Sequence, residues 1–151
     1  DEWVQVFTIG QPYIFRNPDP FGCTRREILP ELLQRCGRTH VIRTWSAGCA
    51  TGEEPYSLAI LFQEEGLGRK SRIVGTDISR QALESARKGT YRNWSLRGTG
   101  AALVKPYLEG QDNNYVLQSA IRKMVDFRYL NLVQDLYPSS QTGICEMDLI
   151  A

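Results

Sequence analysis

Val41-Ile42-Arg43-Thr44-Trp45-Ser46-Ala47-Gly48-Cys49-Ala50-Thr51-Gly52-Glu53-Glu54-Pro55-Tyr56-Ser57-Leu58-Ala59-Ile60-Leu61-Phe62 is the stretch on which the fold turns. Its first six residues are β-branched, aromatic or alternating in polarity, which predicts a strand. The small residues from Ala47 to Gly52 read as a loop, and Glu53 to Phe62 as a helix. Thr51 is placed to cap that helix, because Thr51 and Glu54 have capping-box spacing. Pro55 suits the first turn, where an absent N–H breaks no intrahelical bond. Gly66 and Gly68 close the helix.

Working outward, Arg72 to Asp77 repeats the strand and Ser79 to Lys88 the helix, with Ala82, Leu83 and Ala86 inward. Strand, helix, strand, helix with short connections predicts a parallel sheet joined by right-handed crossovers, the doubly wound α/β class. Val125 to Leu130 is a third core strand, followed by Asn131-Leu132 and a loop near Pro138. Residues Tyr91 to Lys123 break the rhythm with Gly98, Gly100, Gly110 and Asn113-Asn114, and read as an insertion. Within it, Tyr115-Val116-Leu117 and Ala120-Ile121 fit a short strand or a helix. Upstream, Asn17-Pro18-Asp19-Pro20 disfavours helix. Phe21 to Arg35 predicts an amphipathic helix with Ile28, Leu29, Leu32 and Leu33 on one face despite Pro30, ended by Gly37. At the far end Met147 to Ala151 reads as the opening of an apolar strand that stops without a turn or cap, so the expectation is a sheet truncated at the C-terminus.

The composition narrows the classes. With 151 residues, 42% hydrophobic, 23% charged and a mean hydropathy of -0.35, one soluble globular domain is expected. No run approaches the roughly 20 apolar residues of a spanning helix, and Asp1-Glu2-Trp3 does not open a secretory signal. A cytoplasmic location without membrane insertion is the expectation. A net charge of +1 supplies no field to gather nucleic acid. Cys23, Cys36, Cys49 and Cys145 form no C-x-x-C pair and His40 is the only histidine, so no metal site is expected. A Ser-His or Cys-His pair would rest on that one imidazole.

Ligands of open α/β sheets bind beyond the carboxyl ends of the strands. The first such loop carries Gly48 and Gly52, and Asp77 ends the second strand 25 residues after Gly52. That is close to the roughly 20 residues at which an acidic group meets a ribose hydroxyl. A full G-x-G-x-x-G is absent, and Glu53 and Glu54 put negative charge where a pyrophosphate would sit. A ribose-bearing cation such as S-adenosyl-L-methionine suits these residues better. The plainer reading makes Glu53 and Glu54 helix-dipole partners and Asp77 a turn residue.

The run from Trp45 to Ala59 closely resembles the donor-binding motif of the CheR-type chemotaxis-receptor protein-glutamate O-methyltransferases. Three further segments match in order. Phe15-Arg16-Asn17-Pro18 with Phe21 resembles the family's Phe-Phe-Arg segment. Gly75-Thr76-Asp77-Ile78-Ser79 and Ala86 to Tyr91 resemble its second strand and helix, and Val125-Asp126-Phe127 with Asn131-Leu132 its third strand and loop. The resemblance implies a Rossmann-like methyltransferase fold with a small inserted β-subdomain at about Trp94 to Lys123. It implies methyl transfer from S-adenosyl-L-methionine to glutamate carboxylates of a receptor's cytoplasmic signalling domain, with S-adenosyl-L-homocysteine as product. By the same analogy Arg16, Gly48, Glu53, Asp77, Asn131 and Leu132 line the donor site, Asp77 at the ribose and Asn131-Leu132 at the adenine. Arg16 contacts the donor or orients the acceptor carboxylate. Pro12 and Ile14 depart from the family's usual Thr and Phe.

The expected partition is an N-terminal segment and helix (1–40), a donor-binding βαβα unit (41–91), the insertion (92–123) and a continuation of the core sheet (124–151). The family's C-terminal strands and its preceding helical domain are not in these residues, so the resemblance implies a catalytic domain incomplete at both ends. Two other readings share the topology: a non-catalytic S-adenosyl-L-methionine-binding signalling module, and a nicotinamide-dependent oxidoreductase, which Glu53-Glu54 disfavours.

Overall fold

The computed structural model describes residues 14–15, 18–37, 39–92, 96 and 100–151. In chain order the elements are α1 (Pro18–Cys23), α2 (Leu29–Cys36), β1 (Ile42–Ala47), α3 (Glu53–Glu64), β2 (Ser71–Asp77), α4 (Arg80–Lys88), β3 (Thr90–Tyr91), α5 (Ala101–Val104), β4 (Leu108–Gln111), β5 (Asn114–Leu117), α6 (Ser119–Arg122), β6 (Val125–Tyr129) and β7 (Leu149–Ile150). Four strands form a parallel sheet in the order β6-β2-β1-β7. Counted as core strands this is 3-2-1-4, the order of a doubly wound half-sheet. The order in which strands are added therefore reverses at β1, the kind of switch point beside which such sheets bind ligands.

Alternation along the strands sorts the core into two faces. Ile42, Ile73, Val125 and Phe127 pack with α3, α4 and the insertion, while Trp45, Val74, Leu130 and Ile144 form a smaller cluster. Helix α3 is buried from Pro55 to Phe62 because it is covered twice. It meets β1, β2 and β6 on the sheet side and α5 and α6 of the insertion on the other. Fully buried Ile60 and Phe62 each contribute about 1.5–3 kcal/mol of apolar transfer energy. Tyr56 wedges between Phe127 and Tyr91, with ring centroids 5.4 Å and 6.2 Å away, and its hydroxyl donates to the Ala86 carbonyl.

The N-terminal helical region differs from expectation in two respects. It begins at Pro18 rather than Phe21, since prolines in a first turn sacrifice no helical hydrogen bond. It also passes through one π-type turn, Thr24–Ile28, immediately before Pro30. That wider turn relieves the clash that a proline makes with the carbonyl four residues back. Gly37, at φ +83°, ends α2 as the sequence indicates.

The inserted residues, joined by Thr90-Tyr91 from the end of the preceding unit, make a separate antiparallel sheet, β3-β5-β4. Asp112 and Asn113, both at positive φ (55° and 70°), join β4 to β5 with Gln111 opposite Asn114. This is the two-residue hairpin turn that Asp and Asn tolerate. Of the alternatives left open for 115–121, both occur: Tyr115 to Leu117 lies in strand β5 and Ala120-Ile121 in helix α6. Strand β7 lies parallel to β1, with Leu149 opposite Thr44 and Ile150 opposite Trp45.

Two substitutions test this packing. A Cβ at Gly52 would sit 3.0 Å from both Ala86 and Phe127 at φ +92°, whereas one at Gly48 meets nothing within 4 Å at φ +73°. Gly52→Ala is expected to lower unfolding free energy in urea by about 2–5 kcal/mol, from left-handed strain plus overpacking, and Gly48→Ala by about 1–2 kcal/mol from strain alone. Among the described residues Thr44 Oγ1 is buried without a hydrogen-bond partner. Thr44→Val should accordingly hold or raise stability, by up to about 1–3 kcal/mol; a loss in the same denaturation experiment would show that the hydroxyl is satisfied.

Candidate donor-binding site

The carboxyl ends of β1, β2 and β6 carry the site, and the end of β2 organises it. The Thr76 carbonyl accepts the N–H groups of Gly48 and Cys49 at 2.8 and 2.9 Å. Asp77, at β2's last position, accepts from Ala50 N–H through Oδ2 (2.8 Å) and from Ser79 N–H through Oδ1 (2.7 Å). One carboxylate thus fixes both the loop after β1 and the entry to α4, whose N-cap is the Ser79 hydroxyl. Each Asp77 oxygen retains a second lone pair for a further donor.

The loop advances by alternating left-handed residues: Gly48, Ala50 and Gly52 have φ of 73°, 47° and 92°. Ala50 is the costly one, because its Cβ disfavours that region. Gly52 N–H closes onto the Cys49 carbonyl at 2.9 Å. The N–H groups of Gly48, Cys49, Ala50 and Gly52 are therefore spent on protein acceptors, and Pro55 removes another from the first turn of α3. Such a loop offers little to a pyrophosphate, which is bound through free N–H groups.

Thr51 does not cap α3. The N-cap is Gly52, in the left-handed region and without a side-chain cap. The Thr51 hydroxyl instead lies 2.7 Å from both oxygens of Glu53, and Ser46 donates to Glu54 at 2.6 Å. Glu53 is 3% exposed, and burial raises its carboxyl above the ordinary value, with the Thr51 hydrogen bond opposing that rise. The buried Tyr91 phenol donates to the Thr51 carbonyl at 2.9 Å, bracing the loop from β3. Burial, then the charge of Asp77, pushes the Cys49 thiol up to about 12, so it remains protonated and is no nucleophile.

Beyond β6, Leu130 N–H reaches the Asp77 carbonyl at 3.2 Å. Asn131 then opens a tight turn: its N–H donates to Asp135 at 2.6 Å and its Oδ1 accepts from Val133 N–H at 3.0 Å. Leu132 is exposed, its carbonyl accepting from the Tyr137 hydroxyl. Beside Asp77, the Arg80 guanidinium sits 4.2 Å from the centroid of Tyr129, joining the start of α4 to the end of β6. Sequence reasoning did not single out this pair, or Tyr91 and Thr76, because their partners are remote in the chain.

The structure therefore brings Gly48, Glu53, Asp77, Asn131 and Leu132 to one edge of the sheet. Arg16 and Pro12 lie outside the described residues. Next to Arg16, Phe15 is buried, and its N–H donates to the Ser57 hydroxyl at 2.9 Å, which donates to the Glu53 carbonyl at 2.6 Å. Ile14 is 1% exposed and part of the core.

The family model of the CheR methyltransferase SAM-binding domain matches residues 11–150. The chain belongs to this family. It is 33% identical over 93% of its length to a chemotaxis protein methyltransferase of Borreliella burgdorferi, covering 52% of that protein. It is also 35% identical over 97% of its length to the putative methyltransferase Cher3 of Pseudomonas putida, covering 56% of it. With chemotaxis protein methyltransferase 1 of Pseudomonas aeruginosa it shares 34% over 90% of the chain and 52% of the relative. The chain spans about half the length of the curated relatives it matches. As a CheR domain it has the Rossmann-like sheet expected of S-adenosyl-L-methionine methyltransferases, and S-adenosyl-L-methionine is the methyl donor this family binds. The dinucleotide alternative is not favoured.

The raised Glu53 carboxyl has a pH signature. Protonation is easier in the fold than in the unfolded chain, so the associated stability is present below the ordinary value of 4.5 and is lost as pH rises through the raised one. Glu53→Gln keeps an acceptor for Thr51 and discards the buried charge. In thermal melts at neutral pH the variant should equal or exceed the parent, the difference closing below pH 4.5; a markedly lower melting point at neutral pH would show the charge to be stabilising.

Proposed function

We propose that the protein transfers the methyl group of S-adenosyl-L-methionine to glutamate side-chain carboxylates in the cytoplasmic signalling domain of a chemotaxis receptor, leaving a methyl ester and S-adenosyl-L-homocysteine. The observation that carries this reading is the loop in which Gly48, Cys49, Ala50 and Gly52 already donate their N–H groups to protein acceptors, framed by Glu53, Glu54 and Asp77. That donor set suits hydroxyls and positive charge, the chemistry of a ribose and of an ammonium-bearing sulfonium compound. In this reading Asp77 takes the ribose hydroxyls, Gly48 and Glu53 border the amino-acid end, and Asn131 and Leu132 hold the adenine. Arg16 positions the donor or the acceptor carboxylate.

When bound, the donor supplies an electrophilic methyl and a good leaving group. The chain's own residues need only align it in line with a carboxylate, which is deprotonated near neutral pH, and keep water out. No general base is required, in keeping with a high Cys49 pKa and with His40 lying at the opposite, amino end of the sheet. The unit 92–123 is proposed to face the receptor, with 41–91 and 124–151 holding the donor. No described helix is long and apolar enough to cross a membrane, and the receptor is proposed to be met in the cytoplasm.

Asp77→Ala is expected to weaken donor binding at least about tenfold by calorimetry, because a hydrogen bond to a buried polar group is worth about 1–3 kcal/mol. The same substitution also frees Ala50 N–H, so the diagnostic comparison is with the donor's 2′-deoxy and 3′-deoxy analogues. If Asp77 holds the ribose, the parent discriminates against one or both and the variant does not; equal discrimination by both proteins would sink the assignment. Radiolabel transfer by the full-length protein to receptor signalling domains tests the activity, and binding without transfer would favour a sensing module instead.

A further inference from the structure

At the amino end of the sheet, away from the donor edge, the fold gathers three side chains of different chemistry. Cys36 is the last residue of α2, His40 lies in the connection to β1, and Asp148 directly precedes β7. One ligand atom from each, the Cys36 Sγ, a His40 ring nitrogen and an Asp148 carboxylate oxygen, lies within 4.8 Å of the others. We propose that these residues form a zinc-binding site that ties α2, the entry to β1 and the entry to β7 together.

Preorganisation supports this assignment. Gly37 reverses the chain between Cys36 and His40 at φ +83°, and His40 N–H returns to the Gly37 carbonyl at 3.2 Å. Asp148 Oδ2 is held by Arg43 N–H at 2.8 Å and by His40 Nε2 at 2.9 Å. Asp148 N–H in turn donates to the Arg43 carbonyl at 2.8 Å. Two of the three ligands are thus fixed by backbone contacts, and the third stands at a helix end beside them.

The ligand set points to the ion. A thiolate, an imidazole and a carboxylate match zinc, where calcium and magnesium would require oxygen ligands alone. Tetrahedral bonds of about 2.0–2.3 Å place ligand atoms roughly 3.3–3.8 Å apart, so the cluster needs only small side-chain movements to close on the ion. A thiolate and a carboxylate together neutralise the dication. Cys36 is exposed and the His40 side chain is 34% exposed, which leaves an entry path and room for a water as fourth ligand. Spacing rules do not reveal the site because the third ligand is 108 residues from His40.

The test is titration of the intact chain with zinc alone, with calorimetry, thermal melting and cobalt substitution as readouts. Binding of one equivalent, a higher melting point that a chelator reverses, and a thiolate-to-cobalt absorption band are expected. Cys36→Ser should abolish that band, and Cys36→Ser and His40→Gln should each weaken zinc binding at least about tenfold, since each removes one protein ligand. Cys23→Ser should change nothing, and melting of each metal-free variant reports whether it folds. Zinc binding that is absent, or unchanged in folded Cys36→Ser and His40→Gln, overturns the site.

Discussion

Everything at the carboxyl edge of the parallel sheet depends on how β2 ends. The Thr76 carbonyl and the Asp77 carboxylate together accept four backbone N–H groups, three from the loop after β1 and one from the start of α4. Without those acceptors the alternating left-handed residues Gly48, Ala50 and Gly52 would have no reason to hold their conformation, since Ala50 at least is there at a conformational cost. The sheet supplies the rigidity and two residues convert it into loop geometry. This is also why the loop is a poor phosphate cradle: the N–H groups of Gly48, Cys49, Ala50 and Gly52 are already engaged in shaping it.

The same economy explains the charges around α3. Burying Glu53 works against ionisation, yet its carboxylate sits at a helix start, where negative charge is favoured, and receives the Thr51 hydroxyl. Glu54 remains exposed and is steadied by Ser46. The two adjacent acids therefore occupy different environments: one is embedded in the packing, and the other is accessible to a cationic ligand.

Local patterns revealed the architecture because they are local. The β-branched and aromatic run before Ala47, the small-residue loop and the helix through Phe62 are contiguous, and their repetition around Asp77 already implies a parallel sheet. The cap of α3 was misread because Thr51 and Glu54 have the spacing of a capping box, while the conformation at Gly52 is one that only glycine takes readily, and the Thr51 hydroxyl turns to Glu53 instead. Asp112-Asn113 takes the hairpin turn between β4 and β5, a two-residue signal easily lost among the glycines and asparagines around it. Contacts such as Tyr91 to Thr51, 40 residues apart, or Arg80 on Tyr129 leave no periodic trace, because they arise only once the strands are laid side by side. Gly48, Glu53 and Asp77 stand out in the sequence because strand ends are where such sheets bind ligands, whereas Asn131 and Leu132 are indicated only by the family resemblance.

The Tyr91 hydroxyl also bears on where one unit stops and another begins. Strand β3 pairs with β5 of the small sheet, yet its second residue donates to the carbonyl of Thr51 in the loop of the large one. Tyr91 therefore serves both sheets, its backbone the small one and its hydroxyl the loop of the large one. A graft that exchanged the small sheet for that of a relative would have to carry a tyrosine across the junction, or leave a carbonyl of the donor loop without its donor.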